Sequence, residues 1–233
     1  NEIQKLTFAG CTWTNNVADS YGGALSYGRS PTLKGMELEF RDCILINNTA
    51  SKTYGGALYI ITDKPLTITD CFFDGNKAGG IGGAVYFSKY GDVSITDSKF
   101  ARNKAYEAGA ICSDGRSKVT FDSLVFSENT ADIDAPNLLI RHYGDSPVNV
   151  KNCKFDFNKI VGQAQVVIRN NNYENSEQDI IFTGCCFTHS GDAIDTVTHI
   201  KTSLVREATI SLTEGNCFDT PEELAISFNN ETT

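Results

Sequence analysis

Three aspartates, Asp42, Asp70 and Asp97, recur 28 and 27 residues apart, each just before a short run that ends in an apolar anchor. Carboxylates held at a constant repeat can share a divalent cation, calcium being the ion that suits oxygen ligands. They can also serve as the acid and base of a glycan-cleaving enzyme. The same positions suit a plainer role, because aspartate favours tight bends through hydrogen bonds to its own backbone. Catalysis also needs a basic partner, yet the polar residues alternating along the preceding runs are Thr67, Thr69, Ser94, Thr96 and Thr120, with no arginine nearby in the repeat. Asp122 continues the series one place out of step.

Other chemically able residues are fewer. Tyr59 and Tyr86 hold the same place in neighbouring repeats, and alternation from Leu58 and Val85 puts both rings on an outer face. There they could form a platform for a sugar or a partner protein, or simply cover sheet backbone. Cys186 and Cys217 lie 31 residues apart, one repeat, in a phase that turns both outward and permits a disulfide if the geometry is met. Cys11, Cys43, Cys71, Cys153 and Cys185 have the opposite phase and read as small apolar core residues. His142, His189 and His199 share no phase and no metal-ligand spacing, and each is read as a surface or loop residue. Asn47-Asn48-Thr49 and Asn230-Glu231-Thr232 match the glycosylation acceptor pattern.

All of these residues are positioned by one repeating element. An anchor, two variable residues and an asparagine are followed by a glycine pair and a small-apolar step: Trp13 to Asn16 then Gly22-Gly23-Ala24-Leu25, Leu45 to Asn48 then Gly55-Gly56-Ala57-Leu58, and Phe73 to Asn76 then Gly82-Gly83-Ala84-Val85. Phe100 to Asn103 then Ala108-Gly109-Ala110-Ile111 is nearly intact. The asparagines fall at Asn16, Asn48, Asn76, Asn103, Asn129 and Asn158, a period that signals an array of stacked units.

Within a unit, Leu66-Thr67-Ile68-Thr69 and Val93-Ser94-Ile95-Thr96 alternate as short strands, and Asp, Asn or Gly follows at the bend. One coil cannot bury its own apolar face, but coils stacked about 4.8 Å apart pair each strand with its equivalents. The expectation is an all-β chain, a right-handed parallel β-helix of about eight coils with three parallel sheets, forming a single domain over residues 1–233. The inward asparagines would run as a structural ladder from coil to coil. Recognition would fall to the irregular stretches Gly28 to Gly35, Ser113 to Lys118, Arg141 to Pro147 and Arg169 to Asp179.

A net charge of -9 and a pI near 4.8 argue against a nucleic-acid partner and against anionic membrane surfaces. No run approaches the roughly 18 apolar residues of a spanning helix, so no membrane insertion is expected of this segment. The chain opens with neither methionine nor signal peptide, which suggests a fragment of a longer surface protein.

The paired Gly-Gly-Ala-(Ile/Leu/Val) and Phe-x-x-Asn motifs resemble the repeats of chlamydial polymorphic outer membrane proteins and related protist surface proteins, over about residues 6 to 200. That resemblance implies a right-handed β-helix in the extracellular part of an adhesin, with no catalytic residues and no cofactor. The expected function is therefore non-enzymatic: an extracellular or cell-surface segment displaying loops and outward side chains to a protein or glycan ligand. The alternatives are a polysaccharide lyase or hydrolase using the Asp column with a cation, and a structural spacer. The oligomeric state is left open.

Overall fold

The computed structural model describes residues 4–28, 35–89, 91–144, 146–157, 164–170, 178–189, 198–204, 208–219 and 226–229. The described residues form strands, bends and turns and no helix, and every strand pairing is parallel. Three sheets have eight strands each. The first runs from Lys5–Ala9 to Ala208–Leu212, the second from Thr12–Thr14 to Cys217–Phe218, and the fourth from Leu25–Tyr27 to Ile226–Asn229. One strand per coil gives eight coils. The third sheet is an addition to the three expected: among the described residues, two-residue strands from Val17–Ala18 to Thr130–Ala131 pair just after the ladder asparagines in the first five coils.

Period-two alternation sets the faces. In the first sheet Leu38, Leu66, Val93, Val119, Val148 and Ile180 share one inward column and are buried. In the second sheet Phe73, Phe100, Phe126, Phe155, Phe187 and Phe218 stack ring on ring, with centroids 4.7 to 5.4 Å apart. Each fully buried ring contributes roughly 1.5–3 kcal/mol by leaving water, and stacking adds to it. Beside this column lie the buried thiols of Cys43, Cys71, Cys153 and Cys185, each donating to a nearby carbonyl oxygen at 3.1 to 3.4 Å.

The bend between the first and second sheets is a left-handed residue in every coil. Gly10, Asp42, Asp70, Asp97, Ser123, Asn152, Gly184 and Gly215 occupy it with φ between 51° and 84°. A side chain normally makes that conformation costly, and Asp, Asn and Gly tolerate it best. The second glycine of the repeat has a different reason. A Cβ on Gly83 would lie 2.0 Å from the Gly109 carbonyl oxygen, so the coils approach too closely there for any side chain.

The asparagine ladder carries more than one bond per rung. Asn48 Oδ1 accepts both the Asn16 backbone N–H at 3.1 Å and Asn16 Nδ2 at 2.8 Å. Asn48 Nδ2 donates to Asn76 Oδ1 at 3.0 Å and to the Trp13 carbonyl at 3.0 Å. Asn76, Asn103 and Asn129 repeat this scheme and are buried. Asn158 lies outside the described residues, and the ladder takes another route. Asn129 Nδ2 donates to Asn137 Oδ1 at 3.1 Å, Asn137 to Gln165 Oε1 at 3.4 Å, and Gln165 Nε2 to His199 Nδ1 at 3.1 Å.

This route corrects the reading of the histidines. His199 is fully buried between Phe187 and Phe218, with Nε2 3.0 Å from Asp219 Oδ1. His142 is buried as well, its Nε2 2.7 Å from the Ser146 carbonyl. Inward phase explains His142, whereas His199 stands level with Gln165 at the entry to the fourth sheet and continues the ladder from there. The His189 side chain lies outside the described residues.

Candidate functional site

The outer face of the fourth sheet gathers the chemically able side chains that stacking does not consume. Two outward columns run along it. The first is Ser26, Tyr59, Tyr86, Cys112, Leu139, Val167 and Lys201; the second is Ile61, Ser88, Asp114, Arg141 and Arg169. A third row comes from the loop that precedes each fourth-sheet strand: Tyr21, Tyr54, Ile81, Glu107 and Asp134 each stand directly before the left-handed residue Gly22, Gly55, Gly82, Ala108 or Ala135. The fixed bend lays this row over the sheet, and the isolated bridge between Ile81 and Glu107 keeps two of its members in register.

In the first coils the face is aromatic. Tyr21 lies tilted by 34° against Tyr59 with centroids 4.4 Å apart, Tyr59 stacks on Tyr86 at 5.4 Å, and Tyr54 on Tyr86 at 5.0 Å. Tyr21 is 42% exposed, whereas Tyr86 is only 8% exposed. Tyr86 therefore departs from the expected open platform: Tyr54 covers it, and its hydroxyl donates to Asp114 Oδ2 at 2.8 Å. Burial raises the Tyr59 and Tyr86 phenols above their ordinary range, and the Asp114 carboxylate pushes Tyr86 further.

In the later coils the face is charged. Glu107 Oε2 accepts from Arg141 Nη2 at 2.7 Å while Oε1 meets the Arg169 guanidinium. Asp134 Oδ1 accepts the backbone N–H groups of Ala135 and Ala164, each at 3.0 Å, and Oδ2 pairs with Lys201 Nζ at 3.0 Å. Asp114 holds Tyr86 and also faces Arg141, with Nη1 4.0 Å away. Burial weakens the charged form of Arg141, but Cys112, Glu107 and Asp114 around it more than offset this and raise its pKa. Burial, then the Asp114 carboxylate, pushes the Tyr143 phenol up to about 12. Burial likewise raises the Cys112 thiol beneath the network.

Glu107, Asp114 and Asp134 thus oppose Arg141, Arg169 and Lys201, three anions against three cations. A small cleft of about 10 Å³, lined by Asp114, Ser113, Ser117 and Phe87 among others, meets this group at Asp114. Sequence reasoning missed this group. Its signal was the residue before the glycine motif, and the recurrence of arginine in Ile140-Arg141 and Ile168-Arg169.

The corner aspartates lie elsewhere. Asp42, Asp70 and Asp97 are exposed at their left-handed bends, and among the described residues no three His, Cys, Asp or Glu side chains come together as a metal-holding group. The left-handed bend by itself accounts for aspartate at these positions. Cys186 and Cys217 face each other in register and form a disulfide with Cα atoms 4.6 Å apart. Most of the irregular stretches thought to serve recognition contain residues outside the described set; residues 113–118 are described and help to line the cleft. Among the described residues no helix is long and apolar enough to cross a membrane.

The family model described as right handed beta helix region matches residues 38–210. No curated protein and no solved structure matches the chain.

Proposed function

Because the chain belongs to the right-handed β-helix family, we propose that it is a non-catalytic display segment of an extracellular surface protein, binding a protein or glycan ligand on the outer face of its fourth sheet. The observation that carries this reading is the division of that face. Its carboxylates are engaged by arginine, lysine, tyrosine or backbone donors, while the ring of Tyr21 stays open beside the half-buried Tyr54 and Tyr59. A general base must be able to reach a substrate proton, and an ion-paired, buried carboxylate is poorly placed to do so. An exposed aromatic edge on a stiff scaffold is suited to contact instead. The adhesin-like assignment, cell-surface location and polymorphic-outer-membrane likeness rest on the repeat motifs together with this face.

The test is a binding screen of the folded chain against glycans and cell-surface proteins, repeated with Tyr21→Ala. Loss of a specific signal in the variant, with melting unchanged, is the expected result. A blank screen on every surface presented would overturn the reading.

The second reading, a carbohydrate-active enzyme, is favoured by one observation: three acids and three bases do converge on one face. Turnover of a polysaccharide that disappears on Glu107→Gln would establish it in place of the first.

A further inference from the structure

We propose that Asn47 is a carbohydrate-attachment site: in a chain that passes through a secretory pathway, its side-chain amide receives an N-linked oligosaccharide. The triplet Asn47-Asn48-Thr49 supplies the acceptor pattern, and the fold sorts its two asparagines into opposite roles. Asn48 is fully buried, with its amide bonded to Asn16, Asn76 and the Trp13 carbonyl. Asn47 is exposed at the left-handed bend between the second and third sheets, with φ 54°.

The Asn47 side chain is exposed at the bend while its backbone N–H stays tied to the Asp74 carbonyl at 2.9 Å. Neither the Asn47 amide nor the Thr49 hydroxyl has a hydrogen-bond partner among the described residues. The neighbouring coil accommodates the Asn47 amide through a residue without a side chain. The equivalent residue there is Gly75, where a Cβ would come within 2.4 Å of Asn47 Oδ1. At the corresponding bends elsewhere, Asn15 and Arg102 are followed two residues on by Val17 and Lys104, and Glu128, though followed by Thr130, offers no side-chain amide.

The transfer is balanced by a polyprenyl diphosphate-linked oligosaccharide as co-reactant. Its anomeric carbon leaves the diphosphate oxygen and bonds to Asn47 Nδ2, which gives up a proton, and the lipid diphosphate departs. The Cys186–Cys217 disulfide fits the oxidising compartment in which that chemistry occurs. Attachment at this bend would leave the fourth-sheet face uncovered, since the bend belongs to the second and third sheets. The inference shares with the proposed function only the passage through a secretory route.

The full chain is translated into endoplasmic-reticulum microsomes with a cleavable leader and Asn230→Gln, which removes the other acceptor triplet. The expected result is a mobility shift of one oligosaccharide, removed by amidase treatment. It is lost in Asn47→Gln and Thr49→Ala and kept in Thr49→Ser. The modified chain is expected to form the Cys186–Cys217 disulfide as the unmodified one does. No shift in the parent chain, a shift that persists in Thr49→Ala, or a modified chain that fails to close the disulfide would each overturn the proposal. Unmodified protein from bacteria, in the ligand screen above, tests the binding reading separately.

Discussion

Glu107 sits between Arg141 and Arg169, one carboxylate oxygen turned to each guanidinium, so residues from successive coils are clamped through a single side chain. The loop before the glycine motif is thereby fastened to the sheet beneath it. Replacing Glu107 with Gln removes the carboxylate that the two partly buried guanidiniums share and leaves Arg141 only the Asp114 carboxylate, 4.0 Å away. The expected loss is about 3 kcal/mol, at the low end for a buried pair because both arginines retain some exposure. Asp19→Asn, which breaks the open Lys52–Asp19 pair, is expected to change stability by less than about 0.5 kcal/mol. Urea unfolding of both variants gives the comparison.

Asn103→Ala removes the acceptor for the Asn76 backbone N–H and for Asn76 Nδ2, and removes the donor to the Phe73 carbonyl. Each group left buried without a partner costs about 1–3 kcal/mol, so a total of about 4 kcal/mol or more is expected. Hydrogen exchange should show protection lost first in the coils on either side of Asn103.

The Cys186–Cys217 disulfide closes a span of 31 residues across the seventh and eighth coils. Cys186→Ser with Cys217→Ser is expected to lower stability by about 2–4 kcal/mol. In a solenoid the effect stays near its origin. Proteolysis of the last coil should quicken while the first four coils remain resistant.

Alkaline conditions should weaken the fold. Burial raises the Cys71 thiol from its ordinary value of 9.0 to about 12, and raises Tyr143 from 10.0 to about 12. Both groups stay protonated in the folded chain at a pH where the unfolded chain has already lost its protons. Their contribution is therefore complete below pH 9 and is lost progressively between about pH 9 and pH 12. Melting temperatures across that window measure it, and Cys71→Ala with Tyr143→Phe should flatten the decline.

The β-helix itself is visible in the sequence because its cause is local: the αL bends at Asp42, Asp70 and Asp97 and the alternation before them repeat at nearly one period. The third sheet is not visible, because two-residue strands such as Lys77–Ala78 carry no alternation to detect. Asn137 and Gln165 continue the ladder from positions unlike those of Asn103 and Asn129, so spacing alone points to Asn158. The cover of Tyr86 by Tyr54 and the grip of Glu107 on Arg141 and Arg169 join side chains from separate coils through a loop bend. Their geometry exists only once the coils are stacked, although the row Tyr21, Tyr54, Ile81, Glu107 and Asp134 is printed in the sequence at constant phase.

The chain of side-chain amides has an electrical sense. From Asn16 through Asn48, Asn76, Asn103, Asn129, Asn137 and Gln165 to His199, every bond from one side chain to the next has its donor on the earlier residue. Backbone N–H donors to Oδ1 fix that orientation at Asn48, Asn76, Asn103 and Asn129. Such aligned dipoles add, as peptide dipoles do along a helix, and leave the far end positive. There the Asp219 carboxylate stands 3.0 Å from His199 Nε2, supplying the negative charge that end attracts. A unit copied in the same direction extends the line without a break, whereas a reversed unit would set donor against donor, so the repeat can lengthen by duplication but cannot be turned around.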